Sequence, residues 1–272
     1  MAGPRPDAAA PITFTLDLED YAPAGTPARA NLIIPRVLEL LAEQGAAGTF
    51  FVVGVFAESE PDLVKTIAAA GHEVALHAYR HVPLTQLTPE VFRADTARGK
   101  ALLEDLTGQA VTGFRAPTFS LVPESRWAVD ELAAAGFTYS SSVVPARSPL
   151  YGWPGQPRHP YRWPNGLVEL PCPVASFGSL LVNPYLGGVY FRVLPWPAVT
   201  LGLVRSRPEE ILWLYCHPYD FDPEEPFVPR GDVGRIGNRL LWLNRARMAA
   251  RVARVLNGRS GEPLGVRALS VP

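Results

Sequence analysis

A short amphipathic run ending in alanine and glycine, followed at once by a β-rich run, recurs through the first three-quarters of the chain. The clearest copies are LLAEQGAAGTFF from Leu40 to Phe51, IAAAGHEVAL from Ile67 to Leu76 and LAAAGFTYS from Leu132 to Ser140. A glycine just past a helix takes the left-handed conformation that ends it, and a chain that then enters a strand directly is making helix-to-strand connections. Helix starts agree: Thr88-Pro89-Glu90 and Ser59-Glu60-Pro61-Asp62 place a cap, a proline and an acid in order, and Pro123-Glu124-Ser125 is a third such start. The spacing predicts strands over 12–18, 48–53, 72–77, 113–115, 139–144, 167–170, 211–216 and 266–271. Helices separate most of them, so the predicted fold is α/β with a parallel sheet, open or closed into an irregular barrel, and the strand number favours the barrel.

Residues 145–200 break this rhythm. They are rich in proline and in aromatics such as Tyr151, Trp153, Tyr161, Trp163, Tyr185 and Tyr190, which predicts an insertion packed across the sheet edge. The expected organisation is a flexible segment at 1–11 and a single domain over 12–272. A helix is predicted from 239 to 256. Its arginines, Arg239, Arg245, Arg247, Arg251 and Arg254, form either a solvated face or one that meets lipid, while Trp242, Leu243, Met248, Val252 and Val255 cap the barrel.

Composition narrows the function classes. Apolar residues are 47% and charged residues 19%, enough apolar material for a sizeable core. A net charge of −1 provides no field for nucleic acid. Cys172 and Cys216 cannot build a disulfide framework. No apolar run reaches the length of a membrane span, and no basic segment followed by an apolar one opens the chain. The expected location is the cytoplasm, at the inner membrane face if the arginine-rich helix meets lipid. No Gly-x-Ser-x-Gly elbow and no Gly-x-Gly-x-x-Gly after the first strand are present, which argues against a serine hydrolase and a dinucleotide enzyme.

Several residues carry chemistry. His77 and His81 are four apart, a spacing that stacks two imidazoles on one face of a helical turn and suits two ligands of a Zn²⁺-like ion. His72, next to Gly71 at a strand start, is read as structural. In the first strand Ile12, Phe14, Leu16 and Leu18 share one face, so Asp17 and Glu19 point together from the other, with Asp20 at or just past the strand end. Acids at that end are costly unless paired or metal-bound, and it is the end where parallel α/β folds place their sites. Arg115 ends a strand before Ala116-Pro117, and His217 ends the apolar strand Leu212-Trp213-Leu214-Tyr215-Cys216. Together these supply metal donors, a carboxylate base, a cation to hold it and a titratable acid.

The chain resembles the NodB-type polysaccharide deacetylases (carbohydrate esterase family 4). Thr15-Leu16-Asp17 is similar to the family's first motif, Gly48 to Gly54 to its second strand, His77 to His81 to its His-x3-His motif, Arg115-Ala116-Pro117 to its Arg-x-Pro motif, and Leu214 to His217 to its final motif. Asp17 to Tyr21, Tyr190-Phe191-Arg192 and His217 to Pro223 resemble a subgroup associated with bacterial exopolysaccharide systems. The likeness implies an irregular (β/α)7-type barrel and a metal-dependent hydrolase that removes N-acetyl groups from an amino-sugar glycan. It implies a divalent metal, Zn²⁺, on His77, His81 and either Glu19 or Asp20. By the same likeness Asp17 is the base, Arg115 its partner and His217 the acid; Pro117 and, in the aromatic insertion whose rings suit sugar faces, Tyr190 and Arg192 are the candidates for substrate contact. Two departures stand out. Leu18 replaces the usual second aspartate of the first motif, and Tyr139-Ser140-Ser141-Ser142 replaces a motif with aspartate and tryptophan, leaving open what orients His217. The alternatives are an allantoinase-like amide hydrolase and a non-catalytic glycan-binding barrel.

Overall fold

The β-rich runs pair with one another in the order their helical crossovers dictate. The computed structural model describes residues 10–19, 28–148, 151–177, 181–229 and 234–272. The strands are β1 (Ile12–Leu18), β2 (Gly48–Val52), β3 (Glu73–Leu76), β4 (Gly113–Phe114), β5 (Tyr139–Ser140), β6 (Tyr161–Arg162), β7 (Val168–Glu169), β8 (Val174–Phe177), β9 (Leu181–Pro184) and β10 (Leu212–Cys216). Eight of them form one curled sheet in the order β10-β1-β2-β3-β4-β5-β7-β6. All its pairings are parallel except β6 with β7, and β8 with β9 forms a separate hairpin. Among the described residues the edge strands β10 and β6 do not pair, so the sheet is a barrel left open on one side.

Among the described residues ten helices accompany the sheet: α1 (Ala30–Glu43), α2 (Gly54–Ser59), α3 (Pro61–Ala69), α4 (Pro89–Thr107), α5 (Trp127–Ala134), α6 (Gly188–Val193), α7 (Trp196–Arg205), α8 (Arg235–Trp242), α9 (Met248–Leu256) and α10 (Leu264–Ala268). The capping signal works as read at α4, whereas no side chain caps α3 and the Ser59 hydroxyl instead donates to the Phe56 carbonyl at 2.9 Å. The Thr88 hydroxyl accepts from the Val91 N–H at the start of α4, and Gly108 ends that helix with φ of 67°. Pro61 opens α3.

Strand alternation sorts the side chains into two cores. Ile12, Phe14, Leu16 and Leu18 lie with Phe50, Val52, Leu76 and Leu214 under the helices. Phe51, Ala75, Tyr139, Val168, Leu170 and Trp213 fill the concave side. Each such aromatic or branched side chain contributes roughly 1.5–3 kcal/mol by leaving water, so a one-residue slip of register would reverse both cores.

Three expectations are corrected. Residues 266–271 are not a strand. Glu73 takes the Gly265 N–H at 2.9 Å and Thr49 takes the Leu264 N–H at 2.8 Å, which fixes the first turn of α10 instead. The long helix over 239–256 is broken at Asn244, whose φ of 60° is left-handed. The stretch 145–200 is more than a packed loop: beside the expected strand at β7 it adds β6 to the sheet edge, the hairpin of β8 and β9, α6 and the start of α7. The terminal segment expected to be flexible lies, up to residue 9, outside the described residues.

Candidate active site

Register decides which side chains meet. Leu16 pairs with Cys216, so the next residues along, Asp17 and His217, are level at the ends of β1 and β10. Leu18 pairs with Val52, Val52 with Leu76 and Leu76 with Phe114, which brings Glu19, His77 and Arg115 to the same strand end.

Asp17 is 3% exposed and Arg115 is fully buried. Arg115 Nη1 donates to Asp17 Oδ1 at 2.5 Å and to the Thr15 hydroxyl at 2.8 Å. Its Nε and Nη2 donate to the carbonyl and hydroxyl of Ser141 at 3.2 and 3.1 Å. The guanidinium carbon lies 3.9 Å from the Phe51 ring centroid and 4.4 Å from that of Trp213. A buried charge is tolerable only when paired and fully hydrogen-bonded, and here every face of the guanidinium is engaged. The serine run at 140–142 thus anchors Arg115. Ser142 and Val143 N–H groups in turn rest on Glu169 Oε1 at 2.7 and 2.9 Å, and burial pushes the Glu169 carboxyl up.

Glu19, His77 and His81 offer one oxygen and two nitrogens within 4.8 Å of one another. His77 Nδ1 donates to the Arg115 carbonyl at 2.9 Å, which leaves Nε2 with its lone pair turned to the cluster. Burial, the largest effect, drives the His77 imidazole down to about 4, so it is neutral as a ligand must be. Burial alone would raise Glu19. The neighbouring His81, with His217 and His77 behind it, outweighs that and holds the carboxyl well below the usual carboxylate range. His81 Nε2 contacts Glu19 Oε2 directly. Two neutralisable nitrogens and a carboxylate are the donor set of a catalytic divalent-cation site, so these residues fit a metal such as Zn²⁺. The helical turn expected between the histidines is absent: Ala78 and His81 have φ of 57° and 54°, and the pair comes from a strand end and the bend after it. Gly54 makes that bend possible, since a Cβ there would lie 2.3 Å from the Tyr79 ring. Asp20, the other candidate ligand, lies outside the described residues.

His217 faces this cluster, its Nε2 3.6 Å from Glu19 Oε1. Its Nδ1 bonds Asp220 Oδ2 at 3.1 Å, and the same oxygen accepts from the His217 N–H at 2.8 Å, closing a tight turn. Tyr219 stacks on the imidazole at 4.6 Å and 9°. Burial opposes a charge on His217, but Asp220, aided by Glu19, outweighs it and raises the imidazole above 6.5. Asp220 was missed in the sequence; the signal was a carboxylate three residues after a strand-end histidine and a proline. Arg192 is also not where the sequence put it. Its side chain is fully buried, with Nε 2.7 Å from Asp220 Oδ1 and Nη2 donating to the Leu241 carbonyl at 3.1 Å, so it serves Asp220 and has no face for substrate. Tyr190 lies half-buried on α6, and Pro117 is buried at the start of a turn whose next residue, Thr118, has φ of 54°. His72 is structural, its Nδ1 accepting the Gly48 N–H at 3.0 Å.

The polysaccharide deacetylase family model matches residues 11–140. That stretch is a polysaccharide deacetylase domain. A domain of unknown function, DUF3473, matches residues 141–260. The deacetylase domain supplies Asp17, Glu19, His77, His81 and Arg115; the second stretch supplies Arg192, His217 and Asp220, in a sheet continuous through both. A peptidoglycan-N-acetylglucosamine deacetylase of Bacillus cereus is 30% identical over 98 residues, 36% of each chain. The chain spans 36–44% of the length of three curated relatives it matches. The crystal structure of a Mycobacterium smegmatis protein assigned to the polysaccharide deacetylases aligns over 97% of this chain and 93% of that one, with TM-score 0.59 and 22% identity. Puue allantoinase aligns over 91% and 83%, with TM-score 0.58 and 18% identity. At such identities the likeness is one of fold, and the deacetylase fold carries more than one chemistry.

Proposed function

We propose that the protein is a metal-dependent N-deacetylase that hydrolyses acetamido groups of an N-acetylated amino-sugar glycan and releases acetate. One observation carries the reading: an arginine-held carboxylate, a two-histidine-and-glutamate donor set and an aspartate-held histidine converge on one strand end. Glu19, His77 and His81 hold the divalent ion, Zn²⁺ by the nature of the donors. That ion supplies Lewis acidity toward the attacking water and the acetamide carbonyl. Asp17 accepts the water's proton, and Arg115 keeps that carboxylate ionised and aimed. His217, with Asp220 fixing its tautomer and Arg192 behind Asp220, donates a proton to the departing amine. The deacetylases among the relatives, with peptidoglycan and chitooligosaccharide in their names, support the substrate class.

The test is metal content together with acetate release from N-acetylglucosamine oligomers, for wild type, His77→Ala and Asp17→Asn. Near-stoichiometric metal is expected in wild type and in Asp17→Asn, and loss of it in His77→Ala. Asp17→Asn keeps a partner for Arg115 but removes the base, so acetate release should fall by about 10²–10⁴-fold. Metal without acetate from any N-acetylated glycan would overturn the enzymatic reading in favour of a binding barrel.

A further inference from the structure

Helix α8 is packed inside out. The one buried side chain it contributes is Asn238, whereas Ile236 is 78% exposed and Leu240 37% exposed. Leu243, 47% exposed just past its end, extends them at the i, i+4, i+7 spacing of a single stripe. Phe227 and Val228, 52% and 54% exposed, add to the apolar surface, and the Phe227 ring meets Trp242 edge-on at 4.9 Å. A helix that turns its aliphatic face outward and its amide inward needs something apolar to cover it.

The charge pattern identifies the cover. Between residues 226 and 260 there are eight arginines and a single acid, Asp232. Arg235, Arg239 and Arg247 are exposed on or beside α8, and none makes an ion pair among the described residues. A second copy of the chain would oppose this arginine-rich face to itself, which like-charge repulsion disfavours. Aliphatic side chains ringed by exposed arginines match a bilayer interface, with the chains among the lipid tails and the guanidinium groups among phosphates. We propose that α8, with Phe227, Val228 and Leu243, docks the protein on an anionic lipid bilayer.

The face also adjoins the catalytic machinery. The carbonyls of Leu241 and Leu243 accept hydrogen bonds from Arg192, which holds Asp220, which holds His217. A docked molecule therefore keeps its candidate acid two side chains from the membrane-facing helix, as suits a glycan presented at a membrane surface.

The experiment is sedimentation of the full chain with phosphatidylcholine vesicles with and without phosphatidylglycerol, at low and raised salt. Binding is expected only with the anionic lipid and should weaken with salt. The double variant Ile236→Asp, Leu240→Asp should lower the partition coefficient by about tenfold or more. Arg235→Gln and Arg239→Gln should each lower it about fivefold. All these side chains are exposed, so circular dichroism melting and acetate release from a soluble substrate should not change. Three results would overturn the proposal: no partition onto anionic vesicles, partition indifferent to both sets of substitutions, or a wild-type dimer in light scattering that the Asp variant dissociates.

Discussion

Asp17 and Glu19 stand two residues apart at the end of β1 and do opposite electrostatic work: Asp17 is held by a cation, while Glu19 itself holds imidazoles in place. Their roles follow from which neighbour the sheet register brings to each. The same logic separates Arg192 from substrate. If it acts through Asp220 on His217, Arg192→Met should lower kcat by about 10- to 100-fold and leave KM for the glycan unchanged; a raised KM with intact kcat would mark a substrate contact instead. Glu169 makes a separate prediction about stability. Its folded carboxyl keeps its proton above the ordinary 4.5, chiefly because it is buried. Above that pH the folded chain binds more protons than the unfolded one, so stability falls as pH rises until the folded carboxyl has itself ionised. Glu169→Gln does not ionise. The melting temperature of that variant relative to wild type should be flat below about pH 4.5 and climb as pH rises beyond it.

Among elements, the bend from Ala78 to His81 is demanding, since it includes left-handed residues that are not glycine. It is pinned by the Gly54 and Val55 N–H groups, which donate to the Ala78 and Tyr79 carbonyls at 3.0 and 2.9 Å. Gly54→Ala would force Tyr79 away, and metal affinity measured by competition with a chelator should drop by about tenfold or more. The histidine spacing was legible in the sequence, but its conformation was not: a helical turn and this bend place the same pair of rings together, and only the hydrogen bonds from α2 choose between them. The parallel core was read from apolar alternation and glycine stops because those signals are local. Both the turn at α10 and the aspartate behind His217 depend on partners far along the chain or on side-chain geometry. Glu73 reaches Gly265 across 192 positions, and no window of sequence contains both.

For the whole molecule, the deacetylase domain and the stretch after it share one sheet. β10 flanks β1, and β7 flanks β5. A chain ending at residue 140 would strip a neighbour from β1 and from β5, expose the aliphatic edge of β1 and remove His217. It should not give a cooperative thermal transition, and the measurement is calorimetry on the truncated and full chains. No helix among the described residues is long and apolar enough to cross a membrane.

The pairing of β1 with β10 also sets a clock on biosynthesis. The Thr15 hydroxyl donates to the Leu214 carbonyl across 199 positions. At a translation rate of about 5–20 residues per second, the first strand waits on the order of 10–40 s for its partner to leave the ribosome. Once residue 81 has followed, the nascent chain carries Asp17, Glu19 and both histidines of the candidate metal site but not His217, beside an open strand edge that invites pairing with other chains. The proposed site is therefore complete only once β10 has left the ribosome, and slowing translation between the two strands should raise the demand for chaperones without altering the folded protein.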